Sequence, residues 1–455
     1  MKSLEAYPLE ERKSHILVKE KDQIQGISCD RHSVSGVVSQ RACVYCGARV
    51  VLNPITDAFH IVHGPIGCSS YTWDIRGSLS SGSEMFRNSF STDLEEKDII
   101  FGGEKKLSEA IDEIVRAKFP KAVFVYSTCV VGVIGDDIEA VCRAAERKYG
   151  IRVIPVKSTG FAGSKKDGYK AACDAIISLM DGGKYERGVK DPRSFNYLGD
   201  FNLAGEIWVV NNYFKEIGLN MITGVTGDST VEKLRKARNA SFNIVQCAGS
   251  SIYLAERMKE KFGIPYEQVS FFGIQDTVSS LIKLAELSGD EEVKKKTEKL
   301  IRIMVAEVEP VLEKYRKKCR GKKVAIYVGG GFKAVSLIKQ FSELGMKTVM
   351  VGTQTGRKQE YETIRELVEE GTVILDDTNP SELEKFMKEK GADLLVGGVK
   401  ERPLAYKLGM AFIDHNHERK HPLIGFEGAV NFAREVDLTL NSPVWEFVRK
   451  GGLHE

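Results

Sequence analysis

Short apolar runs alternate with longer amphipathic stretches along most of this chain, and the alternation predicts its fold class. Each apolar run of strand length is followed by a loop and then by apolar residues at helical spacing. The clearest predicted strands are AVFVYST (122–128), RVIPVKS (152–158), FNIVQC (242–247), KVAIYVGG (323–330), TVILDD (372–377) and ADLLVGG (392–398). This order predicts an α/β fold of doubly wound, Rossmann-like parallel sheets, which bind ligands beyond the carboxyl ends of their strands.

The length of the chain and two breaks in this pattern predict three α/β domains. A chain of 455 residues is too long for one hydrophobic core. One break is the turn-rich stretch at residues 180–200, and the other follows a long charged helical stretch that ends just before Lys323. We therefore expect domains at residues 1–190, 191–320 and 321–455.

Composition and charge exclude two classes of partner. A hydrophobic content of 42% and a charged content of 28% are typical of a globular protein, and the net charge of only +3 argues against nucleic acid as a partner. No apolar run approaches the roughly 18 residues that span a bilayer. The charged N-terminus also lacks the apolar core of a signal peptide. We expect no nucleic-acid partner, no membrane partner and a cytoplasmic location.

In a reducing cytosol disulfides are rare, so several of the nine cysteines are candidate metal ligands. Cys43 in RACVYCGA, Cys68 in HGPIGCSS and Cys129 in YSTCVVGVIGDD lie where an extended segment meets a loop. Thiolates of this kind hold iron–sulfur clusters. Cys247 ends a predicted strand and precedes a predicted helix, whose N-terminus favours an anionic ligand.

Three other cysteines have simpler interpretations. Cys142 and Cys173 fit the apolar faces of predicted helices and are expected to pack in the core. Cys319 lies in the basic run KYRKKCRGKK and is expected to be exposed.

A zinc site is an alternative for the first cysteines. Cys43 and Cys46 form a C-x-x-C pair, and His60 and His63 follow as H-x-x-H. Zinc-binding histidines are usually separated by three to five residues, and here the separation is two. If AFHIVHGP is extended, residues 60 and 63 also point to opposite faces of the strand. The pattern therefore favours an accidental likeness, with Cys46 as a spare thiol near the cluster.

The glycine-rich turn at residues 329–331 does not predict nucleotide binding. It lacks the Walker A pattern, and Ala334 stands where the last glycine of G-x-G-x-x-G belongs. ATP hydrolysis by this chain is therefore not expected.

The motifs together resemble one family. The matching stretches are RACVYCGARVVLNPITDAFHIVHGPIGC, TDLEEKDIIFGGEKKL, YSTCVVGVIGDDI, VQCAGSSIYLAERMKEKFGIP, YVGGGFKAV, GVKERPLAYKLGMAFID and LTLNSPVW. In this order they resemble the nitrogenase component 1 family, from about residue 40 to residue 447. The TWDIRG run after Cys68 and the NSPVW ending are similar to the branch that assembles the nitrogenase cofactor. The resemblance implies a cofactor pocket between the three domains.

The resemblance implies two metal sites. Cys43, Cys68 and Cys129 are expected to hold a [4Fe–4S] cluster at a subunit interface, where a cysteine of the partner chain completes the ligand set. In the catalytic enzyme of the family the larger P cluster occupies that position. Cys247 is expected to hold the iron-molybdenum cofactor or its iron–sulfur precursor.

Three cationic residues are expected to line the pocket of that cofactor, on the side of its organic acid, homocitrate. They are Arg76, Lys333 and Lys400. Cationic side chains suit this position because both the iron–sulfur core and homocitrate are anionic.

Two departures from the catalytic branch decide between functions. The histidine that ligates the finished cofactor corresponds to Ile424, and isoleucine cannot bind a metal. His421 lies three residues away and could substitute for it if the loop is rearranged. A second catalytic histidine corresponds to about Tyr169, with an error of one position. A pocket with one thiolate and no imidazole is expected to release what it holds.

The resemblance therefore implies an assembly scaffold rather than an enzyme. The scaffold receives an iron–sulfur precursor, supports its maturation with molybdenum and homocitrate, and passes it on. Its expected partners are a NifN-like subunit in a heterotetramer, the nitrogenase Fe protein, the cluster donor NifB and an apo-nitrogenase acceptor. The alternative is the catalytic subunit of a nitrogenase-like reductase, of the nitrogenase α type or acting on methylthio-alkanes.

Overall fold

The computed structural model describes residues 10–21, 26–29, 42–72, 88–181, 190–246, 248–415 and 419–450. These residues form two compact units. The cysteine unit consists of residues 42–269 and 283–296, and the terminal unit contains the described residues before 42 together with 270–282 and those from 297 onward.

The strands, in chain order, are β1 (Ile16–Val18), β2 (Phe59–His63), β3 (Ser89–Ser91), β4 (Ala122–Ser127), β5 (Arg152–Val156), β6 (Ser194–Asp200), β7 (Asn220–Thr226), β8 (Phe242–Val245), β9 (Tyr266–Gln268), β10 (Lys323–Val328), β11 (Lys347–Thr353), β12 (Val373–Asp376), β13 (Leu394–Gly397) and β14 (Ala411–Asp414). The cysteine unit contains two sheets, with strand orders β3-β2-β4-β5 and β7-β6-β8-β9. The terminal unit contains the third, β1-β12-β11-β10-β13-β14.

The helices, in chain order, are α1 (Val44–Leu52), α2 (Ile66–Tyr71), α3 (Glu96–Phe101), α4 (Glu104–Lys118), α5 (Cys129–Ile134), α6 (Ile138–Tyr149), α7 (Lys165–Asp181), α8 (Glu206–Ile217), α9 (Val231–Lys236), α10 (Ala248–Phe262), α11 (Ile274–Ser288), α12 (Glu291–Cys319), α13 (Gly331–Glu343), α14 (Lys358–Leu367), α15 (Pro380–Lys390), α16 (Arg402–Lys407), α17 (Gly425–Leu440) and α18 (Val444–Lys450). Within the described residues, no helix is long and apolar enough to cross a membrane.

Every strand pair is parallel except β1 with β12, which is antiparallel. Parallel strands covered by helices on both faces read as continuous apolar runs, and β4 (AVFVYS) is buried at every position. Helices α1 and α7 can approach closely because residue 168 on α7 is a glycine. Any side chain at Gly168 would collide with the backbone of α1.

Each sheet is doubly wound and therefore has a switch point, which is the pair of neighbouring strands whose following connections run in opposite directions. The switch point lies between β2 and β4 in the first sheet, between β6 and β8 in the second, and between β10 and β13 in the third. Ligands in such folds bind outside the carboxyl ends of these strands. The switch points therefore mark where to look for sites.

The predicted parallel α/β architecture and the strands on which it rests are confirmed. Several strands were not predicted, among them β6 and β1. Residues 194–200, in the stretch expected to be turn-rich, form the fully buried β6, and β1 joins the third sheet although it lies near the N-terminus. The three domain boundaries remain a prediction.

The structure tests the predictions for the three cysteines that were not expected to bind metal. Cys142 and Cys173 are buried, as predicted. The predicted exposure of Cys319 is wrong, because its side chain is completely buried at the end of α12. The basic residues around Cys319 made the segment look exposed in the sequence, although one face of this helix end packs against the rest of the terminal unit.

Candidate metal centre

Two of the three candidate cluster cysteines follow the switch-point strands of the first sheet. Strands β2 and β4 end side by side, with His63 opposite Ser127. Cys68 lies in the short helix α2 that follows β2, and Cys129 is the first residue of α5, directly after β4 and Thr128. The topology alone therefore brings these two thiols to the same edge of the sheet.

The third cysteine reaches the same place from α1. Cys43 is the N-cap of that helix. A Cβ atom built on Gly160 would lie 2.8 Å from the Sγ atom of Cys129 and 3.6 Å from that of Cys43, so both sulfurs border one small region. Burial raises the pKa of the Cys68 thiol, and the neighbouring charges of Cys129 and Cys43 raise it further. All three thiols are therefore close together.

Hydrogen bonds around His63 join the end of β2 to the segment that carries Cys129. The carbonyl of His63 accepts bonds from the N–H and hydroxyl of Thr128, at 3.2 and 3.0 Å. Its ring bonds to Thr92 through Nδ1 and to Asp136 through Nε2, both at 3.0 Å. Burial lowers the pKa of His63, and Asp136 opposes that shift. The histidine thus joins the end of β2 to both ends of the α5 segment.

A second set of bonds connects α1 to the Cys68 loop. The hydroxyls of Tyr45 and Thr72 share a hydrogen bond of 2.6 Å. The Thr72 hydroxyl also donates to the carbonyl of Cys68, at 3.3 Å. Burial raises the pKa of Tyr45 to about 12, so this side chain is a neutral phenol at neutral pH. Cys46, one turn after Cys43, is buried on the same helix.

The zinc alternative does not fit these contacts. His60 and His63 both lie in β2, as the extended segment predicted, and Nδ1 of His60 bonds to the hydroxyl of Tyr126 at 2.9 Å. Both ring nitrogens of His63 are already used. Among the residues that the structure describes, no three His, Cys, Asp or Glu side chains are grouped tightly enough to hold one metal ion. A four-iron cluster spaces its thiolates more widely, because each binds a different iron.

Two of the predicted cofactor residues lie outside the described residues. They are Cys247 and Arg76. The residue before Cys247, Gln246, is buried and follows β8, a switch-point strand of the second sheet. Gln246 therefore lies at the carboxyl edge of that sheet.

The other two cofactor residues lie at the switch point of the third sheet. Lys333 is in the first turn of α13, after β10, and its ammonium donates to the carbonyl of His415 at 3.0 Å. Lys400 follows β13 and is exposed. Next to it, burial raises the pKa of the Glu401 carboxyl to about 7. Both lysines therefore follow switch-point strands at the carboxyl edge of the third sheet.

The residues at the two departures from the catalytic pattern are also described. Ile424 is the N-cap of α17 and is completely buried. His421 is exposed, and Tyr169 is half-buried on α7, with its ring centroid 5.8 Å from the ammonium of Lys165.

Comparison with known proteins identifies the family. The family model described as nitrogenase component 1 type oxidoreductase matches residues 43–441. The chain belongs to the nitrogenase component 1 family.

The chain is similar both to cofactor biosynthesis proteins and to a nitrogenase of this family. The nitrogenase iron-molybdenum cofactor biosynthesis protein NifE of Clostridium pasteurianum is 64% identical over 444 residues, 97% of each chain. The NifE protein of Methanosarcina barkeri is 53% identical over 451 residues, again 97% of each. A solved structure of nitrogenase Cp1 at pH 5 has a TM-score of 0.86 at 31% identity and covers 96% of each chain. The predicted family, its cofactor-assembly branch and the fold class are confirmed.

Two residues in this part of the cysteine unit were not singled out from the sequence. Gly160 borders the sulfurs of Cys43 and Cys129, and Arg49 is a buried cation on α1. The signal for Arg49 was available, because it is the one charged residue in the otherwise apolar and small helix VYCGARVVL.

Proposed function

We propose that this chain is the cluster-holding subunit of a scaffold on which the iron-molybdenum cofactor of nitrogenase is assembled. The observation that carries the proposal is the convergence of Cys43, Cys68 and Cys129 at one sheet edge, in a chain whose catalytic-histidine position is Ile424. High identity to proteins named for cofactor biosynthesis, over nearly the whole chain, supports the same function.

The three cysteines hold a [4Fe–4S] cluster at an interface with a partner subunit. Three thiolates leave one iron for a ligand from elsewhere, and the surroundings suit a protein partner. Cys129 is exposed. Near the three cysteines, four large apolar side chains are 54 to 75% exposed: Ile66, Tyr71, Val133 and Phe161. Exposed apolar groups of this kind mark protein interfaces. The partner is a NifN-like subunit, in a heterotetramer.

The second metal species is cargo, by which we mean the iron–sulfur precursor and the cofactor made from it. Cys247 supplies its thiolate ligand, and Arg76, Lys333 and Lys400 contact the anionic core and homocitrate. Lys333 and Lys400 suit this role because they follow the two switch-point strands of the third sheet.

Ile424 favours a scaffold over a catalytic subunit. An isoleucine side chain offers no ligand atom, so the cargo is held by fewer protein bonds and leaves more readily. Ile424 is completely buried, and its side chain contains no polar atom. The alternative, a nitrogenase-like reductase, is favoured by the similarity to nitrogenase Cp1. A reductase must retain its cofactor through turnover.

The remaining partners follow from the assembly reaction. A cluster donor of the NifB type supplies the precursor, the Fe protein supports insertion of molybdenum and homocitrate, and apo-nitrogenase accepts the product. All of these steps belong to the cytoplasm.

The proposal is tested by changing the departure at position 424. The chain is co-expressed with its partner subunit, loaded with iron-labelled cargo and mixed with apo-acceptor. Ile424→His should slow transfer, because an imidazole adds a metal ligand, whereas the matched control Ile424→Val should transfer like the parent. Equal rates for Ile424→His and the parent would show that position 424 does not face the cargo.

A further inference from the structure

Among the residues that the structure describes, Arg49 is a buried cation without a counter-ion. Its side chain lies on α1, and the residue is only 3% exposed. Its guanidinium donates a hydrogen bond from Nη2 to the hydroxyl of Ser89, and among the described residues it pairs with no carboxylate. Its Nε and Nη1 atoms are buried and have no hydrogen-bond partner. Buried charges in proteins are normally paired, because an unpaired one is costly.

The groups around Arg49 do not neutralise it. The guanidinium carbon lies 5.4 Å from the centre of the Tyr126 ring, which gives a cation–π contact but no negative charge. Burial and the Arg49 charge hold the pKa of His60 well below its ordinary value, so that ring is neutral. Burial likewise raises the pKa of Tyr126, so the phenol keeps its proton. A full positive charge therefore remains inside the cysteine unit.

The position of this charge relates it to the cysteines. Arg49 follows Cys43 by six residues on the same helix, a rise of about 9 Å. Tyr45 lies one turn before Arg49, and its hydroxyl reaches the Cys68 loop through Thr72. The charge is thus held on the helix that begins at one thiol and contacts the loop of another.

We propose that Arg49 is the buried counter-charge of the anionic cluster held by Cys43, Cys68 and Cys129, an inference that rests on the proposed function. Four thiolates outweigh the positive charge of a [4Fe–4S] core, so the bound cluster is an anion, and one-electron reduction makes it more negative. In a protein interior the attraction between this anion and Arg49 is weakly screened. Arg49 therefore favours the reduced cluster, and in the cluster-free chain it is an uncompensated charge.

A purely structural role gives different expectations. If Arg49 served only to pack against Tyr126 and bond to Ser89, its removal would destabilise the protein with or without the cluster. A counter-charge instead has opposite effects on the two forms of the protein. Its removal should stabilise the cluster-free chain and destabilise the chain that holds the cluster.

The test uses the complex of this chain with its partner subunit, as parent, Arg49→Met and Arg49→Lys. The reduction of the interface cluster is titrated by electron paramagnetic resonance, and thermal unfolding is measured before and after chelation of the iron. Arg49→Met should contain roughly tenfold less reduced cluster at a fixed potential, a shift of about 59 mV to more negative values for one electron. Its chelated form should unfold at the same or a higher temperature than the parent. Arg49→Lys should titrate like the parent.

Three results separate the possible failures. An unchanged midpoint in an iron-loaded Arg49→Met complex would overturn the counter-charge and leave the scaffold proposal standing. A chelated Arg49→Met complex that unfolds earlier, or does not fold, would also overturn it, because a merely structural role would then suffice. A parent complex without interface iron would overturn the proposed function together with this inference.

Discussion

The carboxyl edges of the first and third sheets have the same topology but different polar chemistry. At the edge of the third sheet the buried arginine pairs with a carboxylate. Asp376, at the end of β12, accepts from the hydroxyl of Tyr361 at 2.8 Å and bonds to Nδ1 of His15 at 3.2 Å. Arg12 is buried, and its guanidinium forms two bonds of 3.0 Å with the carboxylate of Glu382.

In the first sheet the corresponding edge has three thiols, and a nearby buried arginine has no acidic partner within the described part of the chain. The two regions contain the same residue type, a buried arginine, in opposite situations. A buried arginine that pairs with a carboxylate of the same fold has a structural role. A buried arginine without such a partner, close to three thiols, is suited to a bound anion such as an iron–sulfur cluster.

The largest effects should come from the thiols. Cys68→Ala and Cys129→Ala should each lose most of the interface iron and weaken the complex with the partner, because ligand bonds contribute to assembly. Cys247→Ala should lose the cargo while the interface cluster remains, since the two species use different loops. Metal analysis and electron paramagnetic resonance of the purified complexes measure both.

The matched control for these variants is Cys142→Ala. That cysteine is buried in the same unit but away from the edge, and its loss should cost about 1 kcal/mol without changing the iron content. If the Cys68→Ala and Cys129→Ala complexes both contained as much interface iron as the parent, the assignment of these cysteines as cluster ligands would be wrong.

The paired arginine gives the next largest effect. Arg12→Met should destabilise the terminal unit by about 3–5 kcal/mol, because it leaves Glu382 buried and uncompensated. Thermal unfolding measures this loss, and Arg49→Met in the chelated complex should show none of it. Equal losses for the two variants would mean that pairing does not distinguish the two arginines.

A smaller, pH-dependent effect is expected at Glu401 in the third sheet. Burial raises the pKa of this carboxyl from 4.5 to about 7. Between these values the unfolded chain has lost the proton and the folded chain still holds it, so stability should fall as pH rises through this window, by about 3 kcal/mol. Glu401→Gln should remove that dependence. The comparison is the unfolding temperature of both proteins at pH 5 and pH 8, and parallel curves would contradict it.

The smallest effect is expected for zinc. Because both ring nitrogens of His63 are used in hydrogen bonds within the fold, His63→Ala should leave the zinc content at background. Stoichiometric zinc in the parent that disappears in this variant would restore the zinc interpretation.

The sequence predicted what depends on local pattern. The apolar runs located most of the strands at the centres of the parallel sheets. Cys68 and Cys129 were expected where an extended segment meets a loop, and in the structure both lie in short helices that follow a strand. The close approach of Cys43 to Cys129 depends on α1, on β4 and on Gly160, three separate parts of the chain. No local pattern encodes such a contact.

The errors have the same origin. Cys319 sits among basic residues that reach solvent from the end of a helix, while its own side chain faces inward. Strand β1 pairs with residues more than 350 positions away. Arg49 could be seen as a charge in an apolar helix, but only the structure shows that no carboxylate of the described residues pairs with it.

We expect the chain to hold one cluster permanently and a second species temporarily. The most direct measurement is transfer of labelled cargo from the unmodified complex to apo-nitrogenase, with the interface cluster followed by electron paramagnetic resonance. The account predicts that the label moves to the acceptor, that the acceptor becomes active, and that the interface signal stays with the complex. A complex that keeps its label and reduces a substrate over many turnovers would contradict the scaffold and establish the reductase.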